Sequence, residues 1–90
     1  MGKVSEAIER KLVGGLDPSR LEVIDDSDRH AGHAGAGPRG ETHFNLIIEA
    51  TAFIGLGRVQ RQRLVHGLLA EELAGPVHAL SLVTRAPGDA

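Results

Sequence analysis

Five histidines and no cysteine bound the chemistry open to this chain of 90 residues. His30, His33, His43, His66 and His78 are its good neutral nitrogen ligands. Without sulfur from cysteine, the chain cannot build a disulfide framework, a thiolate nucleophile, or a zinc or iron–sulfur site from its own thiolates. Any metal must be held by nitrogen or oxygen, or shared with a partner. His30 and His33 stand three apart in a glycine-rich stretch, where a mobile chain lets imidazoles converge but no helical repeat fixes them on one face; a solvated pair fits the spacing equally well. His43 opens a strand on its more polar face and reads as a surface residue. His66 sits beside Val65 at the edge of an apolar helical stripe and reads as boundary packing. His78 follows the Gly75-Pro76 break with the parity of Leu80 and Leu82, where a strand end meets a helix layer, and spacing alone favours a structural role.

The other candidate is a run of cations. Arg58, Arg61 and Arg63 open a long amphipathic segment that has Glu71 and Glu72 near its end, the reverse of what a helix dipole favours. Such an arrangement points to a cationic patch for an anionic group, a carboxylate or a phosphate. The penalty fades if the helix starts earlier, near Phe53. No serine, histidine and aspartate constellation, paired carboxylates in an apolar setting or phosphate-binding loop is spelled out. Asp25-Asp26 reads as capping and solvation, so an enzyme is not expected.

The elements that must position these residues follow from periodicity. Val4, Ala7, Ile8 and Leu12 form a helical stripe that Gly14-Gly15 is expected to end. Asp17-Pro18 turns the chain into RLEVID, a half-buried strand. Residues 25–41 carry glycine at 32, 35, 37 and 40 with almost no large apolar group, and read as a flexible loop. HFNLIIEA is the second strand, with Phe44, Leu46 and Ile48 on one face and His43, Asn45, Ile47 and Glu49 on the other. FIGLG suggests a short turn packing Phe53 and Ile54. A helix from 58 to 73 then presents Val65, Leu68, Leu69 and Leu73 on one face, and Gly75-Pro76 stops it. VHALSLVT is the last strand, and residues 86–90 form a tail. Helix, strand, strand, helix, strand gives a two-layer α+β domain spanning 1–90, with a three-stranded sheet and both helices on one face.

Composition agrees with that picture. At 41% apolar, 24% charged and a net charge of −2, the chain is neither disordered nor a strongly basic nucleic-acid binder. The start, MGKVSEAIERK, has no apolar run of a signal peptide, Glu6 stands where a myristoylation motif wants Ser or Thr, and no apolar stretch approaches membrane-spanning length. The expectation is a cytoplasmic, unanchored protein, monomeric on its own, with no membrane partner.

Four strings in order, DSDRHAGHAG, ETHFNLII, RVQRQRLVHGLLAEEL and GPVHALSL, resemble the BolA family over nearly the whole chain. The resemblance implies a fold like the class II KH domain, in agreement with the element order. It also implies a non-enzymatic partner of monothiol glutaredoxins that shares a [2Fe-2S] cluster, in iron–sulfur cluster trafficking or iron homeostasis. One ligand of that cluster is the histidine opening the last strand, here His78. The other comes from the loop between the first two strands and matches His30, with His33 as its close competitor. The partner would bring the sulfur, through its active-site cysteine and bound glutathione, and the isolated protein would carry no cofactor. The sequence departs from the family pattern at Gln62, where RHR is typical before Leu-Val. The alternative function, a KH-like nucleic-acid-binding transcriptional regulator, is weakened by Gly55-Leu56-Gly57 standing where a GXXG loop is required and by the net charge, and leaves room only for weak DNA binding through Arg58, Arg61 and Arg63.

Overall fold

The computed structural model describes residues 2–26 and 42–89. The first helix, α1, runs Lys3–Leu16 and buries Ser5, Ile8, Leu12 and Leu16, one stripe at helical spacing. It passes through Gly14-Gly15 rather than ending there, because glycine accepts helical dihedrals and Leu16 gains a place in the core. Asp17 stops it in the left-handed conformation, φ 47°, with its N–H donated to the Val13 carbonyl at 3.1 Å. Gly15 is needed for another reason: α1 crosses the second helix there, and a Cβ would lie 2.7 Å from a Leu68 methyl.

The strands are β1 (Arg20–Asp25), β2 (His43–Glu49) and β3 (Ala79–Arg85), in the order β1-β2-β3, antiparallel and then parallel. The register sets Leu21, Ile48 and Thr84 in one row, Val23, Leu46 and Leu82 in the next, and Phe44 beside Leu80. These rows face the helices. Phe44, Leu46 and Ile48 are almost wholly buried there against Ile8, Leu12, Phe53, Val65 and Leu69. The opposite face carries Arg20, Glu49 and Arg85 across one row and Glu22, Ile47 and Val83 across the next. Val83 is exposed on it, as expected for a sheet covered on one side only.

Two further elements differ from the expectation. The long helix is two helices, α2 (Arg58–Leu68) and α3 (Ala70–Ala74), broken at Leu69, whose dihedrals of −106° and 21° leave the helical region while its side chain stays in the core. Glu71 and Glu72 therefore lie in the first turn of α3, on the favourable end of its dipole, and the acidic half of the charge reversal disappears, while Arg58 still opens α2. Glu72 is nearly buried and accepts from Lys11 Nζ at 2.9 and 2.7 Å, tying α3 to α1; this hydrogen bond holds the Lys11 pKa above its ordinary value. A 3₁₀ turn at Thr51–Phe53 buries Phe53, but Ile54 is exposed, since the following Gly55, at φ 81°, turns the chain outward. His66 is also exposed. The apolar face of α2 is centred on Leu64, Val65 and Leu68, and one residue beyond Val65 is a rotation of about 100° away from it. No helix among the described residues is long and apolar enough to cross a membrane.

Candidate functional site

The start of β3 is shaped by the Gly75-Pro76 break. Val77, not His78, turns into the core: Val77 is 4% exposed, its N–H bonded to the Glu72 carbonyl at 3.0 Å. His78 is thereby left outside the alternation of Leu80 and Leu82, and its side chain is exposed. The structural role that spacing favours for His78 is thus replaced by a solvent-facing imidazole on a fixed backbone. Its N–H donates to the Thr42 carbonyl at 2.8 Å, and Ala79 N–H donates to the same oxygen at 3.2 Å. Because β2 and β3 are parallel and in register at His43 and Ala79, the two strands begin side by side. His43, half-buried on the open face, stacks its ring near that of His78, with centroids 6.5 Å apart and planes 19° from parallel. Thr42 Oγ1 lies 2.8 Å from His43 Nδ1. His30 and His33, the expected loop donors, lie outside the described residues.

The arginines sit elsewhere. Arg61 is largely buried, its side chain 14% exposed. Its Nε donates to the Leu56 carbonyl at 2.9 Å, its Nη1 to the Thr84 carbonyl at 3.3 Å and to Asp89 Oδ2 at 2.8 Å, and the guanidinium lies 5.8 Å from the centre of the Phe53 ring. Asp89 also accepts from the Ala86 N–H at 2.9 Å, and these bonds, the Arg61 bond foremost, hold its carboxyl below the ordinary carboxylate pKa. Residues 86–89, expected as a tail, are therefore anchored through Asp89 and the buried Ala86. Arg58 and Arg63 are exposed. Arg58 and Gln62 help line an open groove of about 400 Å³ between the start of α2 and Leu82, Val83 and Thr84. Six residues of extended chain separate His78 from Thr84, roughly 20 Å. The imidazole end and the arginine groove are separate features of one strand.

The sequence profile of the BolA family, BolA-like protein, matches residues 12–89. The chain belongs to the BolA family. Among its BolA relatives, BolA-like protein 1 of Homo sapiens is 46% identical over 87 residues, covering 97% of this chain and 61% of that protein. The protein named DNA-binding transcriptional regulator BolA in Escherichia coli K12 is 41% identical over 81 residues, covering 90% and 73%. The solved BolA domain of SufE1 from Arabidopsis thaliana superposes with a TM-score of 0.88 at 46% identity, over 100% of this chain and 99% of that one. The chain thus spans about six-tenths of the length of the human relative. The α+β architecture read from periodicity is the BolA fold.

Among the described residues, the nitrogen donors that the fold brings together are His43 and His78. The chain has no cysteine, and the described residues contain no group of three or more metal-binding side chains. His78 offers an accessible nitrogen from a strand end pinned by two hydrogen bonds. The residue missed in the sequence is His43, whose place beside His78 depends on a parallel register that no local pattern spells out.

Proposed function

We propose that this BolA protein is a non-enzymatic partner of a monothiol glutaredoxin, with which it shares a [2Fe-2S] cluster in iron–sulfur trafficking or iron homeostasis. The observation that carries the reading is His78: an exposed imidazole whose backbone is fixed at the head of β3, at the position of the family's VHAL motif. His78 and a loop imidazole, His30 or its competitor His33, would occupy one iron, and the partner's cysteine and glutathione would supply the remaining donors. A [2Fe-2S] group brings one-electron chemistry and transferable iron and sulfide, and nitrogen in place of thiolate on one iron raises its reduction potential. The contribution of this chain is to hold the His78 imidazole at a fixed surface position and to leave the sulfur donors to another molecule.

The test is reconstitution of the cluster on a mixture of this chain and a monothiol glutaredoxin, followed by visible absorption and circular dichroism. His78→Ala is expected to change the spectrum most, and one of His30→Ala and His33→Ala to change it as well. Spectra identical across all three variants would refute imidazole ligation from this chain.

A second reading, nucleic-acid binding, is favoured by the name of the E. coli relative and by the exposure of Arg58 and Arg63. Arg61 adds little to it, since its guanidinium is occupied within the fold. DNA affinity that falls steeply with salt, and is lost in Arg58→Gln/Arg63→Gln, would support this reading; a flat or absent response removes it.

A further inference from the structure

We propose that His43 and His78 together form a site for a borderline divalent transition-metal ion, Zn²⁺ being the type, in this chain alone and without a partner protein. The inference does not rest on cluster sharing. It rests on the juxtaposition of two imidazoles at the heads of adjacent parallel strands, with centroids 6.5 Å apart and planes 19° from parallel. An ion bound to an imidazole nitrogen at about 2.0–2.1 Å lies roughly 3 Å from the ring centre, so a tetrahedral ion holding both rings sets the centres about 5 Å apart. Binding takes an approach of about 1.5 Å and a turn of the stacked rings that points one nitrogen of each at the ion, both rotations about side-chain torsions of residues of which one is exposed and the other half-buried.

The backbones beneath the rings are already fixed. The Thr42 carbonyl accepts from His78 and Ala79, the His43 carbonyl accepts from Asp26 N–H at 2.8 Å, and His43 is in register with Ala79. Little conformational freedom remains to be lost on binding. The contact between Thr42 Oγ1 and His43 Nδ1, 2.8 Å long, is the kind of outer-shell support that orients metal-binding histidines. Two imidazoles select zinc, copper or nickel over magnesium or calcium, whose preferred ligands are oxygens. Water completes the shell, so the site is one of moderate affinity. An ion held there withholds His78 from other ligation, which would make metal occupancy a control on whatever His78 meets.

The experiment is titration of the full chain with Zn²⁺ alone, read by calorimetry and by the imidazole resonances in proton–nitrogen correlation spectra. One ion is expected per chain, with the His43 and His78 rings the most perturbed. His43→Ala, His43→Gln and His78→Ala are each expected to weaken binding more than about tenfold, since losing a ligand costs no less than the ~10–100-fold typical of losing an outer-shell partner. His43→Gln retains a side chain able to bond Thr42, so a folded variant is available if His43→Ala is compromised. His66→Ala, an exposed histidine on α2, serves as the unaffected control. Affinity unchanged in both His43 variants, or an equal loss in His66→Ala, would overturn the proposal. So would a loss confined to His30→Ala or His33→Ala. These outcomes are independent of the glutaredoxin experiment, which uses no zinc.

Discussion

Gly14 and Gly15 are neighbours in the last turn of α1, and alanine at each should move stability in opposite directions. Alanine in place of a helical glycine gains about 0.5–1 kcal/mol by reducing the freedom of the unfolded chain. At Gly14 nothing lies within 4 Å of an added Cβ, so the gain should appear undiminished. At Gly15 the Cβ would stand 2.7 and 2.8 Å from the two Leu68 methyls and 3.3 Å from Leu68 Cγ. Carbon atoms rest about 3.5–4.0 Å apart, so Leu68 must withdraw by roughly 1 Å, from a side that packs against the core. Overpacking of this kind costs about 1–3 kcal/mol, and the flexible end of a leucine places it in the lower half of that range. Gly14→Ala should therefore stabilise by about 0.5–1 kcal/mol and Gly15→Ala should destabilise by up to about 1.5 kcal/mol. In a domain of this size each kcal/mol shifts the thermal midpoint by about 4–8 °C, so two calorimetric scans separate the variants clearly. If Gly15→Ala raises the midpoint as far as Gly14→Ala does, the seam between α1 and α2 has slack and the packing argument fails.

Arg61→Gln should cost at least about 1.5–3 kcal/mol in urea unfolding, the range for hydrogen bonds made by a charged group, while Arg58→Gln and Arg63→Gln stay within about 0.5 kcal/mol; equal effects at all three would mean that Arg61 is not an internal strut. Asp89 has a folded pKa held below its ordinary 3.8, so its contribution is present above that value and is lost as pH falls through the depressed one. The gap in thermal midpoint between the parent protein and Asp89→Asn should therefore be level near neutrality and close below about pH 3.8; a gap that persists at pH 2 contradicts the assignment. Lys11 has the opposite sign. Its folded pKa is raised above 10.5, so its pairing with Glu72 stabilises fully below that value and is lost as pH rises through the folded one. Lys11→Met should be less stable than the parent at neutral pH and converge with it in alkali, and a difference that grows with pH would refute the pairing.

Strand alternation and helical spacing carried most of the fold. RLEVID is β1, residue for residue, and the buried face of β2 is Phe44, Leu46 and Ile48, because in each case one face of a strand packs and the other does not. What local pattern could not carry was set by contacts distant in sequence. Leu69 breaks the long helix two residues after Gly67, at the point where its side chain enters the core. Val77 exchanges places with His78 because the turn after α3, bonded to the Glu72 carbonyl, resets the parity before β3 begins. Arg61 belongs to the interior because the Leu56 and Thr84 carbonyls accept from it and Asp89, 28 residues on, folds back to meet it. His43 and His78 adjoin through the register of two parallel strands whose connection runs through α2 and α3, and spacing along the chain says nothing about such a register.

The separation of the two ends of β3 decides what this domain can do with one partner. A single metal centre is a few ångströms across, whereas His78 and the Arg61 region are about 20 Å apart along the strand. No one ion or cluster can engage both, and a rigid protein that does so must cover a surface of ordinary interface size. Over that distance, energetic effects at the imidazole pair and at the groove should be nearly additive. Loss of His43 or His78 at the head of β3 should then leave undisturbed the Arg61–Asp89 anchor that holds the C-terminal turn.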